Sequence, residues 1–280
     1  MSKRWFERCF QLLICGLAVC VVAVMGWVLI DVIIQGLGHF SWQFLVTAPI
    51  DAGRAGGIGP IVVSTLLILI IALTVALPLG LAVAVWLAEF AARSSRFARI
   101  SGVVLDVLAG VPSIVFGLFG NAFFCVYLGL GYSLLAGGLT LACMILPIFT
   151  RTCEIGLRAV SQDWRRGTAA LGMTKASAVW HVLLPAARPA VLAGMVLGIG
   201  RATAETAALL FTSGYVDRMP GSVLDSGRAL AVHIFDLSMN VTGGDGAAYA
   251  SALVLVVLII ILNILAQQLT DRWLQQHSRA

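Results

Sequence analysis

Residues 161–185 read SQDWRRGTAALGMTKASAVWHVLLP and form a polar, basic interruption in a chain that is otherwise strongly apolar. Hydrophobic residues make up 60% of the 280 residues, and charged residues make up only 11%. Apolar runs of membrane-spanning length recur on both sides of the interruption, as expected of several transmembrane helices. This composition argues against a soluble enzyme and makes the interruption a connection between two spans.

The apolar runs predict an all-α, polytopic membrane protein with about six transmembrane helices, because backbone polar groups must be paired inside the helix when they lie in hydrocarbon. Pro78, Pro112 and Pro147 are expected to kink or interrupt their spans, and Gly110–Ser113 predicts a break near one end of the third. The whole chain, residues 1–280, is interpreted as a single membrane domain. The predicted spans are Phe10–Ile34, Ile58–Leu87, Val103–Leu128, Leu134–Phe149, Ala190–Phe211 and Ala248–Leu265.

The basic residues indicate the orientation of the spans. With a cytoplasmic N-terminus, the outside face carries only Arg54, Arg218 and Arg228, and Arg201 lies within a span. The positive-inside rule therefore favours both termini in the cytoplasm, and the net charge of +5 reflects topology rather than nucleic-acid binding. The basic residues on the inside face are then Lys3, Arg4, Arg8, Arg93, Arg96, Arg99, Arg151, Arg158, Arg165, Arg166, Lys175, Arg188, Arg272 and Arg279.

The interruption itself predicts two short helices joined by a turn. Ser161 is a suitable N-cap, Asp163 lies in the first turn near the positive end of the helix dipole, and Gly172 can end the helix at positive φ. A second helix is expected from Thr174 to Leu184, ended by Pro185. The alternative is a basic loop that anchors the topology and binds nothing.

The spacing within this stretch resembles the G-x9-I-x-L-P core of the cytoplasmic loop of ABC-importer permeases. Gly172 is followed after nine residues (173–181) by Val182 in place of isoleucine, and then by Leu184 and Pro185. The family's E-A-A triplet should fall at Arg166-Gly167-Thr168, where none of the three residues matches. The resemblance implies a type I permease fold with a core over about residues 58–270, and it implies that residues 161–185 are the loop that couples to an ATPase.

Four further segments resemble the phosphate-specific ABC permeases, and the last of them, residues 201–212, resembles the A-type members rather than their C-type partners, with Thr203 and Ala204 in place of a leucine and a glycine. These segments are GGIGP at 56–60, LAGVPSIVFGL at 108–118, LPI at 146–148 with Arg151-Thr152, and RATAETAALLFT at 201–212. The resemblance implies a subunit that translocates inorganic phosphate across a bacterial cytoplasmic (inner) membrane. It also implies three kinds of partner: a C-type permease forming a heterodimer, two ATPase subunits, and an extracytoplasmic phosphate-binding protein. The outer loop Ser213–Gly246 is then expected to take part in docking the binding protein, unless it is only a solvated connector.

Arg201 and Glu205 are the candidate residues of the substrate pathway. Within one continuous helix Ala190–Phe211 they would lie one turn apart on the same face. A charge at the centre of a bilayer costs about 2.5–3.5 kcal/mol on insertion scales, so it normally faces the protein interior or a water-filled path. The pair is therefore either a neutralised ion pair that holds helices together or an anion station. In the anion station, Arg201 would donate to phosphate oxygens, and Glu205 would either orient Arg201 or accept from a protonated phosphate.

The sequence has neither the G-x-x-x-x-G-K-[ST] phosphate loop nor any Gly-Lys dipeptide, so this chain is not expected to hydrolyse ATP. ATP and Mg²⁺ would be bound by the partner ATPase, and no cofactor is expected here. The six cysteines have no C-x-x-C spacing, which argues against a metal site. All four histidines fall outside the predicted spans, which argues against an intramembrane enzyme. A permease for sulfate or molybdate is the other alternative.

Overall fold

The structure is a computed structural model that describes residues 2–91 and 95–278. Two of the basic residues predicted to be cytoplasmic, Arg93 and Arg279, lie outside this part of the chain. The described residues form helices almost throughout, with one small hairpin of strands β1 (Pro49–Ile50) and β2 (Ala55–Gly56). The prediction of an all-α membrane protein is confirmed.

Four helices in the described ranges are long and apolar enough to cross a membrane on their own. They are α1 (Ser2–His39), α3 (Gly59–Val85, continued by a π-helical turn at Trp86–Phe90), α6 (Leu134–Ala159) and α13 (Asp245–Ser278). The shorter helices are α2 (Trp42–Val46), α4 (Arg96–Ala109), α5 (Ser113–Gly120), α7 (Gln162–Ala170), α8 (Lys175–Ala178), α9 (Leu184–Ala186), α10 (Arg188–Thr203), α11 (Ala207–Leu210) and α12 (Leu230–Met239).

Two pairs of shorter helices are bent strongly enough to be broken spans. The helices α4 and α5, the latter prolonged by a π-helical segment Asn121–Tyr127, meet at 101°. The segment Lys175–Ala186 and α10 meet at 70°. The described chain therefore has four spans, or up to six if each bent pair is counted as one.

Helices cover the predicted first, second, fourth and sixth spans, whereas the predicted third span is divided between two helices that meet at 101°. The break around Gly110 and Pro112 is confirmed, because Gly110 ends α4 and Pro112 immediately precedes α5. Pro78 and Pro147 lie inside helices that continue past them. The prediction of a continuous helix Ala190–Phe211 is wrong, since α10 already ends at Thr203.

Small residues bring α3, α6 and α10 into close contact at the centre of the bundle. A Cβ atom on Gly138 of α6 would lie 2.5 Å from Ile71 Cγ2 of α3, and one on Gly198 of α10 would lie 2.8 Å from Ile145 Cγ2. Helices in lipid associate through such close packing, because lipid chains supply no hydrophobic drive between helices. The α3–α6–α10 unit thus forms the rigid body of the domain, whereas α1 packs against α13.

The outer region is ordered, although it was predicted as one long loop. Residues 213–229 fold over the start of α6, where the Leu134 and Leu135 amides donate to the carbonyls of Asp225 and Val223 at 2.9 Å each. The short helix α12 follows. Residues 213–229 therefore form an ordered cap on this end of α6.

Candidate functional site

Residues 161–185, which were expected to couple to an ATPase and are called the coupling segment below, begin with a helix whose two ends are fixed by local chemistry. The Ser161 hydroxyl accepts a hydrogen bond from the Asp163 amide at 3.2 Å, as predicted. Gly172 has φ +69°, and its amide donates to the Ala169 carbonyl at 3.0 Å. The next amide, of Met173, reaches back five residues to Thr168, so the helix ends in a Schellman motif. The predicted roles of Ser161, Asp163 and Gly172 in the local fold are confirmed.

The second half of the segment is a second short helix, also as predicted. The Thr174 hydroxyl accepts from the Ser177 amide at 3.2 Å, and the helix then runs through α8, a π-helical turn at Val179–Leu183, and α9. Leu184 is completely buried, while Val182 is half-buried. The helix passes Pro185 by one residue before the chain turns into α10. The apolar positions of the motif thus attach the segment to the membrane domain.

The outer face of the segment carries an apolar groove. Trp164 and Leu171 are 57% and 80% exposed, respectively, although both are large apolar side chains. They border a cavity of about 330 Å³ between the two helices. Its lining consists of Asp163, Trp164, Gly167, Thr168, Leu171, Met173 and Val182. A contiguous apolar surface of this kind is typical of an interaction site.

Arg165 attaches the inner face of the same helix to two other helices. Its guanidinium donates to both carboxylate oxygens of Glu89, in the π-helical turn that follows α3. It also donates to the carbonyls of Leu157 and Val160 at the end of α6. The two charged side chains are only 19% and 11% exposed. Sequence reasoning counted Arg165 as a topological charge and missed Glu89, because 76 residues separate the partners.

Arg166, Gly167 and Thr168, which stand in place of the E-A-A triplet, lie within α7. Arg166 is 82% exposed and lies 3.8 Å from the similarly exposed Asp163 carboxylate. A Cβ atom on Gly167 would meet nothing within 4 Å, whereas Thr168 is buried and its hydroxyl donates to the Arg165 carbonyl. The segment therefore keeps its fold without a glutamate at the first position.

A second region of interest lies where the chain breaks inside the bundle. The short helix α11 packs on α5, and a Cβ atom on Gly117 would lie 2.9 Å from Ala208 Cα. The Asn121 amide donates to the Phe211 carbonyl at 2.8 Å. Irregular backbone at membrane depth is tolerated only where it is buried in protein or lines a cavity, and discontinuous helices form the substrate sites of many transporters.

Arg201 and Glu205 lie on either side of this break. Because α10 ends at Thr203, Glu205 is not on the same helical face as Arg201, so the predicted arrangement is wrong. The Glu205 carboxylate is buried and accepts from the Ala208 amide at 3.0 Å, which places it as the cap of α11. Arg201 is half-buried, and its guanidinium makes no hydrogen bond or ion pair within residues 2–91 and 95–278. Its donors are therefore available, and no salt bridge joins it to Glu205.

A charged cavity of about 480 Å³ lies between α4 and the last turns of α6. Arg151 donates to Asp106 at 2.9 Å and to Glu154 at 2.7 Å, and Arg158 donates to Glu154 at 2.8 Å. Arg99 lines the same cavity, and its guanidinium has no hydrogen-bonding or ionic partner in the described chain. Three arginines facing two carboxylates leave one net positive charge. The spacing of Arg151, Glu154 and Arg158 at i, i+3 and i+7 was a usable sequence signal, which the topological count overlooked.

The outer cap holds a third ionic cluster, around Arg228. Its guanidinium lies 3.2 Å from the Asp236 carboxylate and 3.4 Å from Nδ1 of His233. His233 is completely buried, and burial, followed by the charge of Arg228, lowers its pKa to about 4. The histidine is therefore neutral near pH 7 and part of the packing of the cap. In the described ranges no group of three or more His, Cys, Asp or Glu side chains is placed to hold a metal ion.

Comparison with known proteins places this architecture in a family. Residues 76–275 match the family model described as "Binding-protein-dependent transport system inner membrane component". A probable ABC transporter permease protein of Bacillus subtilis, YqgI, is 30% identical over 92% of this chain and 90% of its own length. The phosphate transport system permease protein PstA of Mycobacterium leprae is 31% identical over 85% of this chain and 80% of its own length.

Solved structures agree with the sequence comparison at the level of the fold. A chain of a bacterial ABC transporter involved in alginate import superimposes with a TM-score of 0.59, at 11% identity, covering 91% of this chain and 95% of that chain. The broken spans, the coupling segment and the family match lead to the same assignment. The chain belongs to the family of binding-protein-dependent transport system inner-membrane components, the permeases of ABC importers.

Proposed function

We propose that this chain is a membrane permease subunit of an ATP-driven phosphate importer. The observation that carries the transport mechanism is the packing of α5 against α11, the short helix that follows the break after α10, together with the Arg201 guanidinium at the end of α10, whose donors have no partner in the described chain. The choice of phosphate is supported by the names of the relatives, since proteins 29–34% identical to this chain are named phosphate transport system permeases. A planar guanidinium with free donors suits the tetrahedral oxygens of phosphate.

The anion would pass Arg201 and then the charged cavity between α4 and α6. Glu205 keeps the short helix α11 in place, so its role is to position the break rather than to pair with Arg201. In the cavity, Arg151 and Arg158 are already partly neutralised by Asp106 and Glu154. Such a site attracts an anion without holding it tightly, as a route for passage requires. High-affinity capture then belongs to an extracytoplasmic phosphate-binding protein, which would dock on the cap at residues 213–229.

The coupling segment is the proposed docking site for an ATPase subunit. Its groove presents Trp164 and Leu171 outward, while Arg165 holds the segment to the membrane domain. ATP and Mg²⁺ would be bound by two ATPase subunits, and a C-type phosphate permease would complete the heterodimer. In this arrangement both termini and the coupling segment lie in the cytoplasm of a bacterium, and the cap lies outside its inner membrane.

A permease for sulfate or molybdate is the second candidate, since Arg201 would also bind those oxyanions. Competition in membrane vesicles distinguishes the two. Uptake of labelled phosphate should fall with excess unlabelled phosphate and stay near its initial rate with equal concentrations of sulfate or molybdate. Equal competition by sulfate or molybdate would show that phosphate is not the selected anion.

A further inference from the structure

We propose that the ion pair between Arg165 and Glu89 is the mechanical link by which movement of the coupling segment reaches α3 and α6. The inference rests on the proposed function, and it concerns how that function is driven. It assigns Arg165 as a positioning residue that does not contact the transported ion. The pair is distinct from the groove that faces the partner.

The geometry of Arg165 is that of a clamp between three elements. Its donors reach Glu89 after α3, and the Leu157 and Val160 carbonyls at the end of α6, while its own backbone belongs to α7. A two-point contact between a guanidinium and a carboxylate fixes orientation as well as distance. A cation at the end of α6 also compensates its unpaired carbonyls and the negative end of its dipole. A shift of α7 must therefore displace α3 and α6, or break this buried pair.

The exposed face of α7 is the proposed docking surface for the ATPase, and its inner face, which carries Arg165, passes the movement on to α3 and α6. Trp164 and Arg166, the neighbours of Arg165, are exposed, whereas Arg165 itself points inward and is 19% exposed. The groove is completed by residues of the coupling segment itself, including Val182 of its second helix. Loss of the clamp would leave that surface intact, so an ATPase could still bind while its movement was no longer passed on.

Movement of α6 bears directly on the charged cavity. Arg151, Glu154 and Arg158 all belong to the last turns of α6, whereas Asp106 and Arg99 on the opposite wall belong to α4. A second tie reinforces the connection, because Arg158 donates to the Leu87 carbonyl in the π-helical turn after α3 at 3.2 Å. The ends of α3 and α6 are thus joined to each other and to α7. Displacing them changes the width of the cavity against α4.

The test compares three variants of the complete complex in proteoliposomes containing the binding protein. Arg165→Gln removes the cation, and Glu89→Gln keeps the shape of the acceptor but removes its charge. Arg96→Gln, at an exposed position of α4 outside the coupling segment and the charged cavity, is the matched control. Three quantities are measured: ATPase subunits retained on purification, ATP hydrolysis, and labelled phosphate transported per ATP. In the parent and the control, transport per ATP should be equal. In the two clamp variants it should fall by about tenfold, within the range of ordinary coupling energies, while ATPase retention and hydrolysis stay within about twofold of the parent.

Either of two results would overturn the inference. If both clamp variants transport as much phosphate per ATP as the control, the pair transmits nothing. If both lose the ATPase subunits on purification, the pair builds the docking surface instead of acting behind it. Failure of the proposed function is seen separately, because the parent complex itself would then not transport phosphate. The comparison of variants can in that case be repeated with the solute that the parent does carry.

Discussion

Replacement of Gly172 by valine should uncouple the permease from its ATPase through a backbone effect alone. Gly172 has φ +69° in the Schellman motif, and a Cβ atom at this position would meet nothing within 4 Å. The substitution therefore causes no clash with neighbouring residues. The cost is that of an L-residue in the left-handed region, about 1–2 kcal/mol, and it is larger for a β-branched side chain. That free energy corresponds to about a five- to 30-fold shift against the native turn.

The assay is retention of the ATPase subunits together with transport per ATP, and the chain offers two matched controls. Asparagine tolerates the left-handed region, so Gly172→Asn should retain most of the coupling. Gly16→Ala lies in α1, outside the coupling segment, where an added Cβ also meets nothing within 4 Å, and it should be neutral. Equal coupling in Gly172→Val and Gly16→Ala would refute the assignment of the turn.

Three other predictions concern the pathway, the topology and the cap. Arg201→Gln and Arg201→Lys should both reduce phosphate uptake per assembled complex, because the first substitution removes the cation and the second removes the planar fork. If the Arg201→Gln, Glu205→Gln double variant takes up phosphate as fast as the parent, neither residue belongs to the pathway. In a cysteine-free background, Asp225→Cys should react with an impermeant thiol reagent from outside and Gln162→Cys should not; the opposite pattern would invert the topology. For His233, the folded pKa of about 4 lies below the ordinary 6.5, so its contribution to stability is complete above pH 6.5 and is lost as the pH falls towards 4, by about 3 kcal/mol at most. The melting temperature of the purified complex should therefore fall less between pH 7 and pH 5 in His233→Asn than in the parent, and an equal fall would contradict the assignment.

The coupling segment could be predicted in detail because its structure is decided locally. Ser161 offers a hydroxyl to a free amide within its own helix, and Gly172 is the residue that best tolerates positive φ. The positions of most spans could be predicted because a long run of apolar residues is favourable in lipid and unfavourable in water. The break before Pro112 was also predictable, because Gly110 and Pro112 lie close together and both disfavour a continuous helix.

The interior of the site could not be predicted, because it depends on contacts between distant residues. The apolar run continues past Thr203, and hydropathy does not register that the Glu205 carboxylate caps a new helix there. The clamp likewise joins Glu89 to Arg165 across 76 residues. Periodicity within either helix gives no indication of that pairing. Arg165, which was counted among the cytoplasmic basic residues for the prediction of topology, thus holds helices together through its ion pair with Glu89.

Uptake of labelled phosphate by sealed vesicles containing the complete complex tests the central claim most directly. The vesicles carry the binding protein in the outer medium and ATP inside, and matched vesicles lack either ATP, the binding protein or this chain. Phosphate should accumulate only in vesicles that have all three components. Accumulation without this chain, or with this chain but without ATP, would show that the chain is not the permease of an ATP-driven phosphate importer.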